Sequence, residues 1–316
     1  FKLSTDITTI TISNSVTHIG DYAFYKMSSL TTVNLPNSVT HIGDYAFYDA
    51  VKLTTITIPI NVNNIGYETF GSTPLLTEIL VDSGNSNYLS QDGILFNKTQ
   101  TQIIHYPVGK SDTNYTVPSS VTIISDNAFK LATRLTSVTL SNGVTHIKDS
   151  AFSWMANLST INIPATVTHI GENVYYKTDL VQTLTIPSSV THIGNLRFGG
   201  TTINVVGGNA VYSSQNGVLF DKQKTRLLLY PPQKTTVNYT IPTTVATIES
   251  YAFRNAIHLE EVHIPESVLS VGDSIFLEVN NLKRITVHVN NATYSSTPEG
   301  VLFNKDKTIL IQYPPN

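Results

Sequence analysis

Two sets of residues have types and spacing that could do chemistry. The first is histidine at 23-residue intervals: His18 and His41, then His146, His169 and His192. Imidazoles stacked on successive coils could ligate a transition metal or titrate as a coupled group near about pH 6. The same register elsewhere carries Asn64, Ile123, Thr247 and Ser270, which is the pattern of a tolerated polar position beside a turn. A chelating site also needs a convergent donor set, and no metal ligands or cofactor are assigned from the sequence.

The second set is the residues that alternate with buried positions along short β-branched runs. They are Thr32 and Asn34, Thr55 and Thr57, Thr160 and Asn162, Thr183 and Thr185. Toward the C-terminus their chemistry changes to Glu261 and His263, then Arg284 and Thr286. In a strand such flanking side chains point away from the core. They form either a ligand-binding stripe or a solvated row of β-formers. The Thr-rich part lacks the aromatic and arginine anchors of protein hot spots, so a contact is expected first near Glu261, His263 and Arg284. Outward threonine ladders could also order water; curvature and interruptions in the array argue against that use.

No motif for a nucleophile elbow, zinc protease, phosphate loop or dinucleotide site occurs, so the chain is not read as an enzyme. Charged residues make up only 13% and the net charge is −3, without the basic stripe of a nucleic-acid binder. Apolar runs are too short to span a membrane. Phe1–Thr9 lacks the pattern of a signal peptide. The absence of cysteine removes thiol chemistry and cysteine-based zinc sites.

These residues are positioned by a repeat. The valine of a V-x-x-I step falls at Val16, Val39 and Val62, at Val121, Val144, Val167 and Val190, and at Val245 and Val268, 23 residues apart within each group. An aromatic keeps step: Phe24, Phe47, Phe70, Phe129, Phe152, Tyr175, Phe198, Phe253 and Phe276. Two apolar markers in phase across so many units define a repeat array. Each unit opens with strict alternation, as in Ile56-Thr57-Ile58, which reads as a short strand. Prolines such as Pro59 and Pro164 end the strand, because they cannot donate to a ladder. Glycines such as Gly20, Gly43 and Gly66 are available for unusual backbone angles, and the Asp-x-Ala-Phe segment reads as one 3₁₀-like turn. Stacked units bury continuous columns of Val, Ile and Phe. The expected architecture is a single leucine-rich repeat solenoid over residues 1–316: a curved right-handed coil, a parallel β-sheet on the concave face and short 3₁₀ or irregular turns on the convex face.

Three related insertions, at about 82–114, 207–238 and 288–316, break the phase. Each carries a Gly-x-Leu-Phe run, a polar tip with Lys98, Lys222 or Lys305, and a closing Tyr-Pro at Tyr106, Tyr230 or Tyr313. They read as β-hairpins anchored by Phe96, Phe220 and Phe303, with tip lysines that blunt an exposed edge. After the first two, Tyr115 and Tyr239 restart an ordinary strand. The chain begins within the repeat pattern and stops at Tyr313-Pro314-Pro315, as a fragment of a longer protein would. Glycosylation sequons occur at Asn97, Asn114, Asn157, Asn238 and Asn291, and matter only in a secreted eukaryotic protein.

The motif L-x-x-I-x-I-P-x-x-V-x-x-I-G-x-x-A-F, clearest at Leu30–Phe47 and Leu158–Ile170 and interspersed with the D-G-x-L-F and Y-P segments, resembles the BspA-like leucine-rich repeats. Family members commonly carry Cys three residues after the Phe. Here Met27, Ala50, Thr73, Ala132, Met155, Thr178, Ala256 and Val279 stand there, and are expected to fill the same buried slot. The resemblance implies an extracellular or cell-surface protein that adheres to protein or glycoconjugate ligands, host extracellular matrix among them. The alternative is a structural spacer that presents other domains and has no ligand of its own.

Overall fold

A computed structural model describes residues 6–315. Phe1–Thr5 and Asn316, the ends of the expected domain, of the Phe1–Thr9 segment and of the third insertion, lie outside the described residues. Short strands and turns make up the regular structure, with no helix among the described residues. Two compact units are formed. The first runs to Leu180 and takes in His192–Arg197; the second holds Val181–Thr191 and the chain from Phe198 onward.

In both units the coils stack as a parallel β-solenoid. Each coil contributes a longer strand, a two-residue strand at the V-x-x-I step, and a turn that carries the Phe. In the first unit, Thr9–Thr11 pairs in parallel with Thr32–Asn34, and Asn114–Thr116, Ser137–Thr139 and Thr160–Ile161 form another ladder. Tyr115 restarts the repeat strand as expected. In the second unit Asn238–Thr240, Glu261–Ile264 and Arg284–Val287 form the corresponding ladder. The strands read exposed–buried–exposed, because the side-chain period of two leaves one face on the core.

The columns are continuous where the repeat is. Phe24 stacks on Phe47 with ring centroids 5.1 Å apart, and Phe129 on Phe152 at 5.3 Å. The eight slot residues named above are all buried, Met27 and Ala50 as much as Thr73 and Thr178. The two threonines hydrogen-bond their hydroxyls to the carbonyls of Phe70 (2.7 Å) and Phe152 (2.6 Å), which makes a polar residue tolerable there.

The Phe-bearing segment is not a 3₁₀ turn. Residues two before and two after the Phe are left-handed, as at Tyr22 (φ 57°) and Lys26 (φ 58°), Tyr45 and Asp49, or Ser150 and Trp154. Alternate amides then face two ways. Ala23 and Tyr25 donate to Gly20 and Tyr22 of their own coil, whereas Tyr22, Phe24 and Lys26 donate to Asp44, Ala46 and Tyr48 of the next. A further ladder between coils results, which a regular 3₁₀ run would preclude by using every amide internally.

The glycines of the V-x-x-I-G step do not take unusual angles; positive φ among glycines occurs at Gly93, Gly208, Gly217 and Gly300. Their role is close approach. A Cβ on Gly43 would lie 2.4 Å from Asp21 Oδ1 and 2.6 Å from Asp21 N. That carboxylate accepts the amide of Asp44 (2.8 Å), and Asp44 in turn accepts the amide of Tyr67 (2.7 Å).

The insertions contain the expected antiparallel turn and more. In the first, Tyr88–Gln91, Ile94–Asn97 and Gln102–His105 form an antiparallel meander. Asp92 and Gly93, both left-handed, make its tight first turn. Its last strand pairs in parallel with Ile123–Ile124, so it is a rung of the seven-stranded sheet that ends on His192–Ile193. Tyr106 then occupies the Phe column, stacked on Phe129 at 5.2 Å, and Tyr230 lies tilted against Phe253 at 5.2 Å. Phe96 and Phe220 are fully buried anchors, whereas Phe303 is half-buried and Tyr313 exposed.

The tip lysines are exposed, as an edge guard would be, and are also tied down. Lys98, Lys222 and Lys305 each donate to the backbone carbonyl of a buried asparagine, Asn85, Asn209 or Asn291, at 2.5 Å. Each asparagine donates its amide to two carbonyls of the preceding coil and accepts two amides of its own, as Asn85 does with Pro59, Val62, Asn87 and Tyr88. Asn291 uses its side-chain nitrogen in this way, which removes that sequon from reaction in the folded chain.

Candidate binding face

The longer strands position the stripe residues as the alternation requires. Thr32 and Asn34 are exposed and in register with Thr9 and Thr11. Thr55 and Thr57 stand opposite Glu78 and Leu80, and Thr160 opposite Ser137. In the second unit Thr183 and Thr185 pair with Thr202 and Asn204. Asn162 lies just past the end of its strand. Although exposed, its side chain accepts the amide of Leu140 (3.0 Å) and donates to the Leu140 carbonyl (3.3 Å), so it extends the ladder to its neighbour.

Structure brings the C-terminal four together. Glu261 is in register with Arg284 and His263 with Thr286. A hydrogen bond of 2.9 Å joins His263 Nδ1 and Thr286 Oγ1. Burial, and secondarily the nearby His288, lower the His263 pKa. Among the described residues neither Glu261 nor Arg284 forms an ion pair. On the other edge of the Arg284 strand, the turn of the third insertion closes in: Ile285 donates to the Gly300 carbonyl at 3.1 Å. The turns at Gly93 and Gly217 cap Ile79 and Ile203 likewise. Each insertion therefore ends a parallel ladder by covering its edge with a hairpin turn.

The histidine column is real but not convergent. His146 and His169 stack at 4.5 Å with planes 10° apart, and His18 and His41 also stack at 4.5 Å. Thr40 donates its hydroxyl hydrogen to the Thr17 carbonyl and lies 2.8 Å from His41 Nδ1. With one hydrogen per hydroxyl, Nδ1–H must be the donor of that second bond. Thr145 and Thr168 hold His146 and His169 in the same way. The rings are thus locked parallel, with their free lone pairs side by side. Among the described residues no group of three or more His, Cys, Asp or Glu could hold a metal ion. Burial, then His169 and Lys148, lower the pKa of His146.

Reasoning from sequence missed the buried asparagines. An Asn-x-x-Tyr pattern at Asn85–Tyr88, Asn209–Tyr212 and Asn291–Tyr294 was the available signal.

The sequence profile described as the BspA type leucine rich repeat region (6 copies) matches residues 1–111, 108–222 and 233–314. Among curated proteins none matches the sequence. Among solved structures, the pneumococcal vaccine antigen PcpA is similar with a TM-score of 0.60 and 23% identity, over 85% of this chain and 63% of that one. This chain thus spans less than two thirds of the pneumococcal chain. A leucine-rich repeat protein from Eubacterium ventriosum is similar with a TM-score of 0.56 and 23% identity, over 94% of this chain and 87% of that one. At such identity the likeness is one of fold. No catalytic family is indicated, and among the described residues no helix is long and apolar enough to cross a membrane. The periodic Val, Ile and Phe columns, the interspersed Gly-x-Leu-Phe and Tyr-Pro segments and the profile match over most of the length agree: the chain belongs to the BspA-type leucine-rich repeat family.

Proposed function

We propose that this protein is an extracellular or cell-surface adhesion module that binds a protein or glycoconjugate ligand, host extracellular matrix among them, through the face of its longer strands. The observation that carries the reading is the in-register block of Glu261, His263, Arg284 and Thr286, where two opposite charges without ion-pair partners stand side by side on the outer face of a sheet. Charged groups in such a place give a partner directional contacts and steer its approach. Family membership supports the surface location. The Thr-rich rows at Thr32, Thr55 and Thr183 favour a second reading, a spacer with no ligand, because they lack aromatic or arginine anchors.

Binding of the immobilised chain to purified extracellular-matrix proteins and to a glycan array separates the two. Capture at micromolar concentration, weakened about tenfold or more by Glu261→Ala with Arg284→Ala, is the expected result. No capture of any probe supports the spacer. Capture that survives both substitutions moves the site elsewhere.

A further inference from the structure

The first insertion leaves a gap in the turn ladder. Tyr45 donates to Tyr67, and the next equivalent bonds are Asn127 to Asp149 and Ser150 to Glu172. Between the turns at 66–72 and 125–131 the strand Gln102–His105 passes straight into Tyr106-Pro107, without a Phe-bearing turn of its own. A cleft of about 450 Å³ results, floored by that strand and walled by the two turns. That volume suits a small ligand, for which sites run ~300–1,000 Å³.

Its lining mixes apolar side chains with buried polar groups that lack partners. Asn127 is only 6% exposed, and both atoms of its amide lack a hydrogen-bond partner in the protein. Nε2 of His105 is likewise buried without a partner. Asn127 also holds a left-handed turn position (φ 57°), which suits asparagine, but that backbone role does not require its amide to be buried without a partner, which is unfavourable. The repeat supplies its own reference. At the corresponding positions of the second insertion stand Leu229 for His105, Tyr251 for Asn127 and Leu196 for Glu68. Asn173, in the register of Asn127, is half-buried, and its carbonyl oxygen is buried without a partner.

The charges select the ligand class. Glu68, with its side chain 3% exposed, is paired with Lys130 across the cleft. The site's cation is therefore already neutralised, and Asp126 lines the same cleft. An anion finds no free positive charge, and an apolar ligand would leave Asn127 unpaired. What fits is a neutral molecule with several hydroxyls, since each can both donate and accept. Burial pushes the His105 pKa down to about 4, so the imidazole is neutral near pH 7. Tyr67, 48% exposed, stands at the cleft, with Tyr45 edge-on to it at 5.7 Å and Tyr22 stacked on Tyr45 at 5.0 Å. Such aromatic faces suit the C–H face of a sugar ring.

We propose that this cleft binds one neutral pyranose residue of a glycan, with Asn127 and His105 bonding its hydroxyls and the tyrosine strip carrying the adjoining residues. The site is separate from the sheet face and does not depend on the adhesion reading.

Saturation-transfer NMR on the whole chain tests it, with the methyl glycosides of glucose, galactose, mannose and N-acetylglucosamine as probes and that of N-acetylneuraminic acid as the anionic comparison. At least one neutral glycoside should bind with a Kd on the order of 1 mM, and the anionic one should not. Asn127→Ser and Asn127→Tyr, residues that the repeat itself places at this register, should each weaken binding at least tenfold while the melting temperature is kept. The Glu261 and Arg284 substitutions should leave it unchanged. Absence of transfer from all four neutral glycosides, equal binding in both Asn127 variants, or preference for the anionic sugar would overturn the proposal.

Discussion

Tyr106 stacks on Phe129 with ring centroids 5.2 Å apart, although the two residues come from different kinds of segment, an insertion and an ordinary coil. Tyr106 also donates its backbone amide to Ala128 at 2.8 Å and its hydroxyl to Asp112 at 2.9 Å. The insertion is thus built as a coil that keeps the aromatic column and gives up the Phe-bearing turn. Burial, chiefly, and the Asp112 bond raise the phenol pKa, which keeps it a donor.

Tyr106→Ala should therefore destabilise the protein like a loss from the Phe column, by about 3–5 kcal/mol. Tyr106→Phe should lose only the Asp112 bond, about 1 kcal/mol. Urea unfolding followed by circular dichroism measures both, and equal losses would show that packing is not the dominant part.

Asn85→Ala leaves two buried carbonyls and two amides without their side-chain partner. A loss of about 2–4 kcal/mol is expected, read from the shift in urea midpoint. Asn209→Ala should behave alike, because its bonds are the same set.

Acid should weaken the protein through His105, whose pKa is lowered to about 4 by burial. As pH falls, the unfolded chain binds a proton at this position first. The stability it contributes is complete above about pH 6.5 and is lost as pH drops toward about 4, a loss of about 3 kcal/mol. Melting curves across that window should show a shallower pH slope in His105→Leu than in the parent chain.

Gly20 and Gly43 stand one coil apart at the same register, yet a Cβ on Gly20 meets nothing within 4 Å. Gly43→Ala should be destabilising by about 1–3 kcal/mol through backbone contact with Asp21. Gly20→Ala should be neutral or stabilising by about 0.5 kcal/mol. A thermal-melt pair would expose any error in this account, since intrinsic glycine effects alone give the two changes the same sign.

The sequence alone determined the coil. Val39, Ile42 and Phe47 recur at a spacing that only stacked units can bury together, so the architecture, the buried slot at Met27 or Ala50 and the outward stripe at Thr32 and Glu261 could be read directly. Periodicity is a local property, and it reports which face of each element is apolar. It does not report what one coil meets on the next. That is why Gly43 reads as a flexible residue and is in fact a contact, and why the bond that ties the exposed Lys98 to the Asn85 carbonyl is not legible. The cleft could not be read at all. Glu68 and Lys130 are 62 positions apart, and they face each other because an insertion supplies a strand and an aromatic to the stack without the turn that would have filled the space between them.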